Sequence, residues 1–134
     1  MASGGSVAAR IALVAVSLAA AIAVATWQRQ EDRCREAGAT VVRAIGGSET
    51  DASLAEATDT LTGDCHDSRP LLVAAGQLAQ ADRAPEALPL ARLAVRREPD
   101  NFATWAILSG AESDPAAARR ARRRALELNP RAAR

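Results

Sequence analysis

Residues 11–27 read IALVAVSLAAAIAVATW, a run of 17 residues without a charged side chain, preceded by Arg10 and followed by Gln28. At ~1.5 Å per residue a helix of this length approaches the ~30 Å hydrocarbon core of a bilayer. A buried run of this composition in a soluble protein needs a large surrounding domain, which a 134-residue chain barely provides. The sequence therefore predicts a polar tail over residues 1–10, a membrane-directed segment over 11–27, and a small domain after it.

Three interpretations of residues 11–27 stay open at this stage. The segment is an uncleaved transmembrane helix or signal anchor, a cleaved secretory signal with Ala23-Val24-Ala25 as its A-x-A site, or a buried helix. Trp27 stands at the boundary of the run, and indole prefers the headgroup level of a membrane. We therefore expect an uncleaved anchor that spans the bilayer once.

The composition of the rest of the chain favours helices. Aromatic residues make up 2% of the sequence, with one Phe and no Tyr, so the core must be built from Ala, Leu and Val. Small side chains of this kind suit closely packed helices, and the alternation of a half-buried strand is absent. We predict an all-α fold in which the transmembrane helix precedes one short domain of α-helical hairpins.

Residues 28–68 are predicted to form a first, irregular helical hairpin. A helix continues out of the membrane segment and is broken at Gly46-Gly47-Ser48. The pattern Ser53-x-x-Glu56 is a capping box that begins a second helix, which Gly63 can end. Antiparallel pairing then brings Cys34 and Cys65 to one end of the hairpin, as a disulfide requires. The alternative is two unrelated buried thiols.

Residues 69–130 show more regular helical spacing. Asp100 is the expected N-cap of the third helix of this region, and Asp114-Pro115 begins the fourth. Pro89 is awkward in the second helix, which either starts at Leu88 or has a distorted first turn. The four helices are expected over residues 71–81, 87–97, 102–111 and 116–128.

Several positions of residues 69–130 recur at a fixed spacing. Three residues recur 31 positions later, and Leu71 recurs as Trp105 after 34. A large residue early in a first helix, small residues at the helix crossings and a Pro after the second helix resemble the tetratricopeptide repeat. The resemblance implies two stacked hairpins, with residues 28–68 as a degenerate third. The residues expected in repeat packing are Leu71, Ala87, Ala94, Pro99, Trp105, Ala118, Ala125 and Pro130.

The last helix is expected to expose a partly apolar face, with Arg122 and Leu126 as a candidate docking face. Its run of five Arg between residues 119 and 124 has no stacking aromatics nearby, so we interpret it as a solvated face and predict no nucleic-acid partner. His66 beside Cys65 lacks the spaced ligand pairs of a structural zinc site. We expect no metal, no cofactor and no catalytic residue, and hence no enzyme.

The functional expectation is a single-pass, membrane-anchored interaction module that binds an unknown protein partner. The alternatives are a structural or self-associating subunit of a membrane complex, and a secreted helical-repeat protein after signal cleavage. The topology signals disagree. Arg29, Arg33, Arg35 and Arg43 outnumber Arg10, which by the positive-inside rule places the domain in the cytoplasm. The paired cysteines favour the extracytoplasmic side, and we expect the domain to lie on that side.

The charge distribution is uneven along the chain. Residues 28–68 carry four Arg and nine acidic residues, a net charge of −5, whereas residues 69–134 carry twelve Arg and seven acidic residues, a net charge of +5. The simplest interpretation is that the two parts attract each other within one molecule.

Overall fold

The computed structural model describes residues 4–133, and within them the side chains of residues 9–131. Residues 4–133 contain no strand, so the prediction of an all-α fold is confirmed for the described chain. A short 3-10 helix over Pro130–Ala133 ends this region. The six α-helices are α1 (Gly4–Ile45), α2 (Asp51–Gly63), α3 (Ser68–Gln80), α4 (Ala84–Arg97), α5 (Phe102–Ala111) and α6 (Pro115–Leu128).

The chain divides into two compact units, Met1–Asp32 and Arg33–Arg134. Residues 4–32 of the first unit belong to α1, and the large apolar side chains of residues 11–27 are exposed: Leu18 is 61% and Trp27 71% accessible. The alternative of a buried core helix is therefore wrong. Within the described chain, α1 is the one helix long and apolar enough to cross a membrane, and a signal sequence near an N-terminus shares these features.

Two helices of the second unit end in the same backbone motif. After α1, the Ser48 amide donates to the Arg43 carbonyl at 3.0 Å and Gly47 adopts φ 76°. After α3, the Arg83 amide donates to the Leu78 carbonyl at 2.9 Å and Asp82 adopts φ 58°. Both are Schellman motifs, with the left-handed residue directly after the C-cap. The glycine at position 47 makes the first motif predictable from the sequence. The second is not predictable in this way, because its left-handed residue is an aspartate.

The N-caps of α2 and α5 differ from the predictions. Thr50 caps α2, and its side chain accepts from the Ser53 amide at 3.2 Å, so Ser53 lies inside the first turn. Asn101 rather than Asp100 caps α5, since its extended backbone lets its side chain accept from the Ala103 amide at 3.0 Å. A cap is decided by backbone conformation, which the residue types alone do not specify.

The second proline of α4 is accommodated without moving the start of the helix. α4 begins at Ala84, before Pro85, and runs through Pro89 to Arg97. Pro89 is exposed, and the carbonyl that loses its hydrogen bond is that of Pro85, in the first turn. α3 also begins earlier than predicted, at Ser68, because the Asp67 side chain accepts from the Arg69 amide at 3.0 Å.

The core of the second unit is built from Leu and Ala. Leu61, Leu71 and Leu90 are fully buried, and the buried residues of α1 from Cys34 onward belong to the same cluster. α3 packs on α4, α5 packs on α6, and α5 also contacts both α3 and α4. The second unit is thus a succession of antiparallel hairpins in which each new pair covers the preceding one.

Candidate docking surfaces

The first helices of the first two hairpins bury equivalent positions. The first hairpin comprises α1 from Arg33 onward together with α2, the second comprises α3 and α4, and the third comprises α5 and α6. The buried residues of α1 are Cys34, Ala37, Val41 and Ala44, and the residues 34 positions later, Ser68, Leu71, Ala75 and Leu78, are also buried. The first hairpin therefore has the same burial pattern as the second.

The second helices repeat this relation. The buried residues Leu54, Ala57 and Leu61 of α2 correspond, 33 positions later, to Ala87, Leu90 and Ala94 of α4. A further 31 positions on, Ala121 and Ala125 of α6 are buried. Ala118, the counterpart of Ala87, is half-buried.

The burial pattern of α5 follows that of α3 at a spacing of 33 rather than 34. Thr104, 0% accessible, occupies the position of Leu71, and Trp105 is half-buried like its counterpart Leu72. A shift of one residue turns a helix position by about 100°. The spacing of 34 pairs Leu71 with Trp105 because both side chains are large. Burial instead depends on which face of α5 lies against its neighbours.

Thr104 and Trp105 both hold the turn between α4 and α5. The Thr104 hydroxyl donates to the carbonyls of Asn101 and Glu98 at 2.7 and 3.1 Å, which satisfies its buried oxygen. The Trp105 indole donates to the Pro99 carbonyl at 2.7 Å. The Glu98 carboxylate accepts from Ser68 and, at 2.7 Å, from the Asn101 side chain. These bonds fix α5 against the hairpin before it.

The third hairpin ends in a surface that is covered in the second. Ala87 and Ala91 of α4 are 0% accessible, and α5 packs on this helix. Their counterparts on α6 are Ala118, half-buried, and Arg122, exposed. We call this surface the α6 end, comprising Ala118, Arg119, Arg122 and Leu126 of α6. Here the candidate docking residue Arg122 is exposed and Leu126 is half-buried.

The arginines of α6 differ in their partners. Arg124 lies 3.2 Å from a Glu127 oxygen and 3.8 Å from Asp100. Within residues 4–133, Arg119, Arg122 and Arg123 form no ion pair, and all three are exposed. The prediction that the run forms a solvated face agrees with this exposure.

Asp114 gives α6 a well-formed N-terminus, as the sequence predicts. Its carboxylate accepts from the amides of Ala116 and Ala117, each at 3.0 Å. These two backbone hydrogen bonds favour the charged form and lower the pKa of Asp114, with a smaller contribution from Arg120.

A groove of 580 Å³ lies between α1 and α2 on the first hairpin. The carboxylates of Glu36 and Glu49 line it, and both bind the guanidinium of Arg43, at 2.7 and 3.0 Å. We call it the acidic groove; its lining residues are Arg33, Glu36, Ala37, Thr40, Glu49, Ser53, Glu56, Ala57, Thr60 and Asp64.

A disulfide joins Cys34 to Cys65, with a Cα–Cα distance of 5.6 Å. Both residues are buried, and the hairpin brings them together at the end that the sequence predicts. The Arg97 guanidinium donates to the Cys65 carbonyl and, at 3.4 Å, to that of Thr62. The end of α2 is thus fixed to α1 by a covalent bond and to α4 by hydrogen bonds.

The other predicted residues fall into two groups. Leu71, Ala87 and Ala94 are fully buried and Ala125 is 5% accessible, whereas Pro99 and Pro130 are exposed. His66 is exposed, and the sulfur of its neighbour Cys65 is bonded to Cys34. Over the described residues, no group of three His, Cys, Asp or Glu side chains is placed to hold a metal ion.

An ion pair joins the two oppositely charged parts of the chain. Arg83 contacts Asp51 at 2.8 Å, which links the turn before α4 to the start of α2. The α6 arginines contribute nothing to this contact.

Comparison with known proteins gives no relative for this chain: no protein-family model, no curated protein and no solved structure matches it.

Proposed function

We propose that this chain is a single-pass membrane protein whose tetratricopeptide-like domain docks a partner protein. The observation that carries the proposal is the burial pattern shared by three successive hairpins, at spacings of 31 to 34 residues. Helical hairpins stacked in this way bury a continuous core and leave extended surfaces open for binding. The proposal assigns the chain no catalytic activity, cofactor or nucleic-acid partner.

The α6 end is the surface that we assign to the partner. The equivalent positions of α4, Ala87 and Ala91, are fully buried, whereas the α6 end carries half-buried Ala118 and Leu126 beside exposed Arg122. Apolar area that a further element covers elsewhere in the same molecule is the kind of surface that binds proteins.

A double variant of the α6 end tests the docking proposal. Arg122→Glu with Leu126→Glu should keep the helical content and lower partner capture from detergent-solubilised membranes, measured by crosslinking and mass spectrometry. Arg96→Glu with Arg69→Glu is the matched control, since both residues are exposed and belong to α4 and α3 rather than to α6. Equal capture by both variants and the unmodified chain would reject the α6 end as the docking surface.

Membrane attachment is assigned to residues 11–27. The supporting observations are the length of α1 and the exposure of its apolar side chains. An Arg near the centre of a spanning helix costs ~2.5–3.5 kcal/mol on insertion scales. Leu18→Arg should therefore move the protein from the membrane to the soluble fraction, whereas Ser17→Ala should not. A mature N-terminus at Thr26 would instead show a cleaved signal.

We place the domain on the extracytoplasmic side of the membrane. The Cys34–Cys65 disulfide supports this, because such bonds persist in oxidising compartments and are rare in the cytosol. The four arginines between positions 29 and 43 favour the opposite topology. Thiol labelling of protein purified without reductant tests the support for this topology: two reactive thiols would remove the disulfide and, with it, the reason for an extracytoplasmic domain.

Self-association is the second candidate function, and a specific observation favours it. The α6 end carries Arg119 and Arg122, which form no ion pair with a described residue, and the first hairpin carries the acidic groove. Surfaces of opposite charge on one chain are complementary between two copies.

A further inference from the structure

We propose that the α6 end of one copy of this chain docks against the acidic groove of a second copy. This inference rests on the proposed function, in that it takes the α6 end as a docking surface, and it names the partner. The three observations behind it are the position of the α6 end, the position of the acidic groove and the charges that the two surfaces carry.

The α6 end consists of positions that are buried elsewhere in the molecule. On α4 the equivalent positions, Ala87 and Ala91, have no accessible surface, and α4 packs on both α3 and α5. On α6 they are Ala118 and Arg122, which no described hairpin follows. A hairpin of a second copy can pack against these two positions.

The acidic groove is the second surface of the proposed contact. Within the molecule, Ile107 of α5 lies against α3, with its Cδ1 atom 3.6 Å from where a Cβ on Gly76 would stand. Thr40 of α1 is the counterpart of Ile107 by the spacings of 34 and 33, and Glu36 is the counterpart of Ala103. Both Thr40 and Glu36 line the groove. The groove is therefore the leading face of the first hairpin, equivalent to the face by which α5 covers α3.

The charges of the two surfaces are opposite. Arg119 and Arg122 are exposed without an ion pair to a described residue, whereas Glu36, Glu49 and Glu56 line the groove. Arg43 neutralises part of this negative charge, but Glu36 keeps 70% of its side chain accessible. Inside the molecule the equivalent positions are apolar, for example Ala91 and Ile107. The contact between copies is therefore electrostatic, reversible and sensitive to salt.

The geometry of this contact has a consequence for the assembly. The two surfaces are different, so the contact is heterologous, and each docked copy leaves one surface of each kind free. We expect the mass of the assembly to grow with protein concentration beyond that of a dimer.

Charge reversal in the full chain tests the proposal. In detergent micelles at low salt, sedimentation velocity should show association that weakens at ~1 M NaCl, where the screening length is ~3 Å. Arg119→Glu with Arg122→Glu should lower the association constant by at least about tenfold, because like charges then face each other across the contact. Glu36→Arg with Glu56→Arg should do the same from the other side. Mixing the two variants should restore association.

The outcomes separate this inference from the proposed function. The control, Arg69→Glu with Arg96→Glu, makes the same change in net charge as the α6 variant at residues outside both surfaces, and it should associate like the unmodified chain. Association that neither reversal nor salt alters would place the contact elsewhere, for example between the membrane segments, and overturn the inference. A chain that stays monomeric at low salt would also overturn the inference, as would two charge-reversed variants that do not associate when mixed. Capture of another protein through Arg122 and Leu126 by such a monomer would leave the proposed function standing.

Discussion

Asp82 is the residue whose backbone conformation is least suited to its side chain. It is the one non-glycine residue with a positive φ in the described chain, at 58°, and it stands where most Schellman motifs have glycine. Asp82→Gly should raise the free energy of unfolding by up to ~1 kcal/mol, since glycine adopts this conformation without a Cβ clash. Asp82→Val should lower it by about 1 kcal/mol. Thermal unfolding followed by circular dichroism measures both.

Substitution of Gln80 by glycine, two residues before Asp82, is the control for this prediction. Gln80 is exposed in the last turn of α3, and Gln80→Gly should lower stability by up to ~1 kcal/mol, as glycine does in a helix. If Asp82→Gly destabilises the protein as Gln80→Gly does, the left-handed conformation at Asp82 is wrong.

Ala94 and Trp105 test the packing of the second and third hairpins. Ala94 has no accessible surface, so Ala94→Leu should cost ~1–3 kcal/mol through overpacking. Trp105 is half-buried, so Trp105→Ala should cost about 2 kcal/mol, roughly half of what a buried Trp costs. Arg120→Ala, on the exposed side of α6, should leave the melting curve unchanged. Melting curves that neither Ala94→Leu nor Trp105→Ala shifts would contradict the hairpin packing.

At the scale of the element, α6 depends on its N-cap. The pKa of Asp114 is lowered in the folded state from its ordinary value of 3.8, so its carboxylate stabilises the fold above that pH. This contribution disappears as the pH falls through the lowered pKa. Asp114→Ala should therefore lower the melting temperature at pH 7 and much less at pH 2. Asp114→Asn retains a cap oxygen and should show little pH dependence from this site.

At the scale of the whole molecule, the Cys34–Cys65 disulfide closes the first hairpin by joining α1 to the segment directly after α2. The bond closes a loop with a sequence separation of 31. A crosslink of this span contributes ~3–4 kcal/mol by restricting the unfolded chain. Cys34→Ala with Cys65→Ala should lose about that much. Reducing the unmodified protein should lower its stability similarly, and reductant should not affect the double variant. A reductant-insensitive melting curve for the unmodified protein would argue against the bond.

Local signals in the sequence account for most element boundaries. The break at Gly46-Gly47, the Asp114-Pro115 start of α6 and the end of α6 before Asn129 all depend on residues that act within one turn. The residue types do not identify Thr50 and Asn101 as the caps, because neighbouring residues are equally good caps. Only the backbone conformation at the start of each helix distinguishes them.

The sequence alone determined the all-helical fold, the exposed apolar helix and the pairing that brings Cys34 near Cys65, since these follow from composition, periodicity and a short loop. The tertiary structure decided which face each helix buries. It paired Leu71 with Thr104 rather than Trp105, and it showed that Ala91 is covered while its counterpart Arg122 is exposed. The reason is physical: burial depends on which helix packs against a face, and that contact joins residues distant in the chain.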